Sequence, residues 1–252
     1  MVLWLFWFFA AYALVLSLGL RLKGLRARVP AAAPAPSSAP HPVRLLIVGA
    51  TGGTGRQLVA QALERGHEVT ALARNPAALD ITHPRLRIVV GNVLDPASVD
   101  EAMRGQDAVI SALGHKKFFP PNRILSEGTR NLVRAMEAQG VGRLVCETAL
   151  GLGDTAGRMG LYYTLFVLPV ILQSYFWDKA RQERVVADSR VNWIIVRPGA
   201  LTNGERRGQY RHGWKIGSFL WTVRISRADV ADFMLNQLTD DTYLRSAAGV
   251  CW

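Results

Sequence analysis

The chain has 252 residues, half of them hydrophobic, a formal net charge of +11 and two cysteines, Cys146 and Cys251. Glycine is plentiful but without a period, which excludes a fibrous class, and the cysteines show neither zinc spacing nor a disulfide framework, so both are expected to be buried thiols in a reducing compartment. The positive charge is scattered and no zinc-finger or aromatic RNA-binding signature accompanies it. Nucleic acid is therefore not expected as a partner, whereas anionic lipid and a phosphate-bearing cofactor are.

From Val2 to Leu20 the sequence VLWLFWFFAAYALVLSLGL carries no charge. As a helix rising about 1.5 Å per residue, it would nearly cover the roughly 30 Å hydrocarbon layer of a bilayer. Arg21, Lys23, Arg26 and Arg28 follow at once. A single transmembrane anchor over 1–28, with its basic flank and the following domain on the cytoplasmic side, is the expectation. A cleaved signal peptide is the rival, disfavoured because its positive charge would precede the apolar run. Residues 29–42, VPAAAPAPSSAPHP, read as a polyproline-like linker, leaving 43–252 as the folded domain.

From Val43 onward, short apolar runs alternate with amphipathic stretches. VRLLIV (43–48) predicts a strand buried on both faces. GRQLVAQALERG (55–66) predicts a helix ending at glycine, EVTALA (68–73) a second strand, RIVV (87–90) a third and DAVISAL (107–113) a fourth. ASVDEAMRG (97–105) and RILSEGTRNLVRAMEAQG (123–140) predict helices, RLVCET (143–148) and VNWIIV (191–196) the fifth and sixth strands. HGWKIGSFLWTVRI (212–225) and RSAAGVCW (245–252) read as late strands around a helix over 226–239. Strands separated by helices give an α/β domain with a doubly wound parallel sheet.

In such a fold the first strand-to-helix turn is where a pyrophosphate would sit, on the positive end of the helix dipole. That turn reads GATGGTGR, with Gly49, Gly52 and Gly55 spaced for a sharp bend, close phosphate approach and tight helix–strand packing. Thr51, Gly53 and Thr54 complete it. At the end of the second strand an acid would favour NAD; this chain instead has Arg74, with Arg56 after the third glycine. Guanidinium forks suit a 2′-phosphate, so NADP(H) is the expected cofactor in preference to NAD(H).

These residues resemble the atypical short-chain dehydrogenase/reductase families, a Rossmann-type NAD(P)-binding group that includes NmrA-like proteins and biliverdin-IXβ/flavin reductases. The likeness continues through GNVLDPASV, DAVISALG, RLVCETALGLGD, DKARQE, NWIIVRPGALTNG and ISRADVADFML, covering roughly 43–252. It implies that Arg74 holds the 2′-phosphate and that Asn92, where relatives often have aspartate, lies near the adenine beside Val93. It further implies that Ser111, Ala112, Leu113 and Gly114 run along the ribose and nicotinamide. Thr148, followed by Ala149 where relatives often have serine, would sit near the reacting carbon, and Pro198, Gly199 and Ala200 would flank the nicotinamide amide.

Short-chain reductases commonly use a Tyr-x-x-x-Lys pair, and Tyr175 and Lys179 have that spacing, which puts both on one helix face. Tyr175 would donate a proton to the substrate oxygen, Lys179 would favour the tyrosinate and hold the nicotinamide ribose, and Thr148 would orient the carbonyl. The other reading of Tyr175 is packing, since it belongs to the apolar run LYYTLFVLPVILQSYFW. Residues 161–172 of that run are too short to span and contain Pro169; they would line a pocket for a small apolar substrate or dip into a membrane. The functional expectation is a membrane-anchored NADP(H)-dependent oxidoreductase. The alternative is an NADP(H)-binding sensor, or an accessory subunit of a membrane complex, without turnover.

Overall fold

A computed structural model describes residues 2–23, 42–115 and 122–252; within the first helix the side chains of 2–6, 8, 9, 17, 22 and 23 lie outside the described set. The expected linker up to residue 41 and the basic residues Arg26 and Arg28 also lie outside the described residues.

Strands β1 (Arg44–Val48), β2 (Glu68–Ala73), β3 (Leu86–Val90), β4 (Ala108–Ser111), β5 (Arg143–Glu147) and β6 (Asn192–Pro198) form where the apolar runs predict them. With β8 (Arg211–Gly213) and β10 (Ser246–Cys251) they make an eight-stranded sheet in the order β3-β2-β1-β4-β5-β6-β10-β8, parallel except for β8 at the edge. The order reverses direction between β1 and β4, the switch point at which this architecture opens a crevice beyond the strand ends. Two short strands, β7 (Ala200–Thr202) and β9 (Arg224–Ser226), pair separately.

The continuous apolar character of β1 follows from the two layers that cover it. Leu45 and Ile47 face a core built with Leu58, Val59 and Ala62 of α2 (Gly53–Glu64) and Val230, Phe233 and Met234 of α6 (Arg227–Asn236). Leu46 and Val48 face the opposite core. There they meet Val99 and Met103 of α3 (Pro96–Met103), Leu132 and Met136 of α4 (Ile124–Gln139) and Val186 of α5 (Gln173–Ala187). Each such side chain, fully buried, contributes on the order of 1.5–3 kcal/mol of transfer free energy. Local signals set the helix ends: Asp95 accepts from the Ala97 and Ser98 amides to start α3, and Gly140 at φ +73° stops α4.

Three expectations change. The first helix, α1 (Val2–Lys23), forms as predicted, but it lies against the domain, with Leu16 and Leu20 packed on Leu152, Leu168, Phe176 and Ala180. Among the described residues no helix is long and apolar enough to cross a membrane, so a transmembrane role for α1 has no support there. Second, Tyr163–Leu172 is a π-helical stretch containing Pro169, with Phe166, Val170 and Ile171 exposed; none of 161–172 lines the crevice described below. Third, the predicted strand over 212–225 is only β8 and β9 at its two ends. Gly217 breaks it at φ +117°, where a Cβ would lie 2.5 Å from the Arg158 carbonyl oxygen.

Candidate dinucleotide site

The glycine turn has a steric reason at its first and third glycines. Gly49 sits at φ +82°, and a Cβ there would lie 2.4 Å from the Ala112 carbonyl oxygen. The Gly52 amide donates to the Gly49 carbonyl at 2.9 Å, closing the bend. A Cβ on Gly55 would come within 2.0 Å of that same carbonyl, so α2 packs on the turn only because Gly55 has none. Gly52 caps α2 in extended backbone with no side chain to cap it, and among the described residues no side chain takes up the first-turn amides at the sheet's carboxyl edge. Amides so placed, at the positive end of the helix dipole, are an anion cradle.

The crevice runs to both sides of this turn. Its first part, ≈ 120 Å³, is lined by Thr51, Arg74, Asn92, Val93 and Leu94, among others. Arg74 is exposed at the end of β2, and among the described residues no hydrogen bond or ion pair engages its guanidinium. Arg56 lines neither part; it donates to the Ala78 carbonyl at 2.8 Å and steadies the turn after β2. Asn92 is in place, although its amide oxygen already accepts from the Leu94 amide at 3.1 Å. Gly49, Leu113, Gly114 and His115 line both parts.

The second part, ≈ 230 Å³, is lined by Gly52, Gly53, Thr54, Ala112, Glu147, Thr148, Tyr175, Lys179, Leu201 and Arg227. Lys179 is 1% exposed, and its ammonium donates to the Leu113 carbonyl at 3.0 Å and the Glu147 carbonyl at 2.9 Å. One of its three hydrogens remains for a ligand. Tyr175 faces the crevice as the spacing predicts: its hydroxyl lies 3.6 Å from where a Cβ on Gly114 would be, and its ring meets His115 edge-on at 5.0 Å.

The role expected of Thr148 is not the one its geometry allows. Its hydroxyl donates to Glu183 at 2.8 Å, and a hydroxyl has one hydrogen to give, so it can accept from a substrate but not orient a carbonyl by donation. Glu183 is itself held two-pronged by Arg197 at 2.8 and 2.7 Å, and Arg197 reaches Asp154 at 2.5 Å. Burial opposes the charge on Arg197, but Glu183 and Asp154 outweigh it and hold the guanidinium protonated. Pro198 and Gly199 likewise do not line the crevice. The Pro198 carbonyl accepts from the Leu150 amide, the Gly199 amide donates to Val250, and Ala200 continues into β7, so Leu201 is the residue that reaches the crevice wall. Ser111 is fully buried in β4 behind that wall.

Two lining residues carry charge chemistry that the sequence did not single out. Glu147, the last residue of β5, is buried, and its carboxyl accepts from the Thr54 hydroxyl at 3.2 Å. Burial raises its pKa above the ordinary carboxylate value, with Lys179, Thr54 and Arg227 pulling the other way. Arg227 opens α6 and donates to the Asn203 side chain at 2.6 Å; its stem lies so close over the glycine turn that a Cβ on Gly53 would meet it at 2.5 Å. Glu147 stands beside the expected Thr148, whereas nothing in the spacing of ISRADVADF relates Arg227 to a turn more than a hundred residues earlier.

A doubly wound sheet with an uncapped glycine turn at its switch point, flanked by an arginine on one side and a buried lysine on the other, defines a dinucleotide-binding protein. The chain belongs to the NAD(P)H-binding family, whose model matches residues 49–241, within the atypical short-chain dehydrogenase/reductase group that the motifs resemble. It is 35% identical over 213 residues to the photosystem II assembly factor Ycf39 of Synechocystis sp., an alignment covering 81% of this chain and 60% of that protein. The chain thus spans about three fifths of the length of that curated relative. Among solved structures, the anaerobilin reductase ChuY of Escherichia coli O157:H7 superposes with a TM-score of 0.69 at 21% identity, over 82% of this chain and 96% of that one. A short-chain dehydrogenase/reductase of Veillonella parvula in complex with NADP superposes with a TM-score of 0.67 at 20% identity, over 83% and 94%. At those identities the two structures establish the fold.

Proposed function

We propose that the chain is an NADP(H)-dependent oxidoreductase that transfers a hydride to or from a small apolar substrate. The observation that carries this reading is one crevice with an unengaged arginine, Arg74, at one end and the Lys179–Tyr175 pair at the other. The glycine cradle fits a dinucleotide, since the space is kept open by positions where a Cβ would clash. Bound there, the nicotinamide would supply or accept the hydride. Arg74 would bind the 2′-phosphate, which favours NADP(H) over NAD(H). The amides of α2, joined by Arg227, would take the pyrophosphate, and the remaining Lys179 hydrogen the nicotinamide ribose. Tyr175 would hand its hydroxyl proton to a substrate oxygen, with Leu113 and Leu201 offering an apolar wall. The buried thiols Cys146 and Cys251 suit a reducing, cytoplasmic-side location.

Calorimetric titration of NADPH and NADH, repeated with Arg74→Ala, tests the cofactor. NADPH should bind more tightly, and the variant should lose roughly ten- to a hundredfold of that affinity while NADH is unaffected, the scale of a charged hydrogen-bond partner. Equal binding of the two nucleotides by the unmodified protein would remove the NADP(H) preference. A second reading, NADP(H) binding without turnover in an assembly or sensor role, is favoured by the hydroxyl of Thr148 being committed to Glu183. It is also favoured by the relative named an assembly factor. NADPH consumption with apolar carbonyl acceptors, abolished by Tyr175→Phe, decides between the two.

A further inference from the structure

We infer that the domain docks on an anionic membrane surface through one apolar face assembled from three separate parts of the chain. Leu14 and Leu18 of α1, Leu161 and Phe166 of the π-helical region, and Leu220 and Trp221 of the loop before β9 are all between 49% and 77% exposed. They are neighbours in space. The Gly160 amide donates to Ser218 and the Leu161 amide to Leu220, binding the second segment to the third. An apolar groove of ≈ 300 Å³ between α1, residues 156–165 and Phe219 joins the first segment to both. Isolated exposed apolar side chains are ordinary, but a continuous face of large aliphatic and aromatic groups marks an interaction surface.

The occupant follows from charge. Residues 1–63, 155–177 and 206–228 contain no aspartate or glutamate, and these are the three segments that supply the face. They carry Arg21, which lines the groove, Arg158 with its guanidinium 5.1 Å over the Phe219 ring, and the exposed Lys215, whose carbonyl accepts from Arg158 at 3.1 Å. A second copy seated face to face would set these basic rims against each other, since a two-fold interface meets itself. An anionic bilayer accepts both parts: acyl chains take the apolar groups, aromatic rings sit at headgroup level, and each basic residue near the surface adds to the attraction. This attachment is interfacial and needs no spanning helix. It stands apart from the cofactor reading.

The test is co-sedimentation of the full-length protein with phosphatidylcholine vesicles, with and without phosphatidylglycerol. The unmodified protein should partition onto the phosphatidylglycerol vesicles and be released by high salt or alkaline carbonate. The triple variant Phe219→Ser, Leu220→Ser, Trp221→Ser should lose at least about tenfold in partitioning, a factor that ~1.4 kcal/mol of lost apolar burial produces. Its NADPH affinity should be unchanged, which shows that it is folded. Phe166→Asp should weaken partitioning in the same way. Absence of vesicle binding, equal partitioning of the triple variant, resistance to carbonate, or self-association through this face in its place would each overturn the inference. Vesicle binding without NADPH binding would leave it standing and remove the cofactor reading instead.

Discussion

Thr148 gives its one hydroxyl hydrogen to Glu183 at 2.8 Å, and Glu183, fully buried, is clasped by an equally buried Arg197. The residue at the expected carbonyl-orienting position is therefore tied into a structural ion network. Thr148→Val should cost less than about tenfold in turnover, whereas removal of a true orienting donor costs about a hundredfold or more. Steady-state rates on any accepted substrate decide this, and a hundredfold drop for Thr148→Val would restore Thr148 to a direct role.

The same network predicts a stability effect. Glu183→Ala removes the two-pronged carboxylate partner of the buried Arg197 and should destabilise the fold by about 3–5 kcal/mol, the range for breaking a buried pair. Denaturant midpoints measure it. A loss under ~1 kcal/mol would mean that water or rearrangement satisfies Arg197.

Glu147 predicts a pH dependence. Because burial raises its pKa in the folded state, the folded protein holds that proton more tightly than the unfolded chain does. The stability it contributes is fully present below the unfolded value, near 4.5, and is lost as pH rises through the raised folded value. Glu147→Gln cannot ionise. Its stability relative to the unmodified protein should rise as pH climbs out of the ordinary carboxylate range, and a difference that stays flat with pH would contradict the shift.

The glycine turn separates two kinds of damage. Gly55→Ala drives a Cβ into the rigid Gly49 carbonyl and should cost about 1–3 kcal/mol or more of stability together with NADPH binding. Gly53→Ala meets only the movable stem of Arg227. It should leave the melting temperature nearly unchanged while weakening NADPH, because Arg227 is pushed from the turn. Unchanged NADPH affinity in Gly53→Ala would detach Arg227 from the site.

Strands β1, β2, β4, β5 and β6 were legible because a strand covered on both faces is apolar almost throughout: LLIV of β1 sends alternate residues into two cores. The placement of Gly49, Gly52, Arg74 and Lys179 at the crevice, with Gly55 packed beneath the turn, was legible because it follows from position after a strand or from spacing on a helix. What escaped was set by tertiary contact. Helix α1 is apolar on all sides, so its sequence does not tell which face packs; Leu16 and Leu20 were chosen by Leu168 and Phe176. Arg227 reaches the glycine turn only because α6 packs on α2, and Pro198 and Gly199 are withheld from the crevice by hydrogen bonds to Leu150 and Val250.

Lys179 does more than present a charge. Its ammonium holds the carbonyls of Leu113 and Glu147, just past the end of β4 and at the end of β5, so one side chain sets the spacing of two neighbouring strand termini. The floor on which a nicotinamide ring would lie is thus cross-braced by the protein itself, an arrangement that lowers the ordering cost of binding. A shorter or neutral side chain at 179 would let the two termini drift apart. The harm would then extend to the shape of the crevice, beyond the loss of one cation.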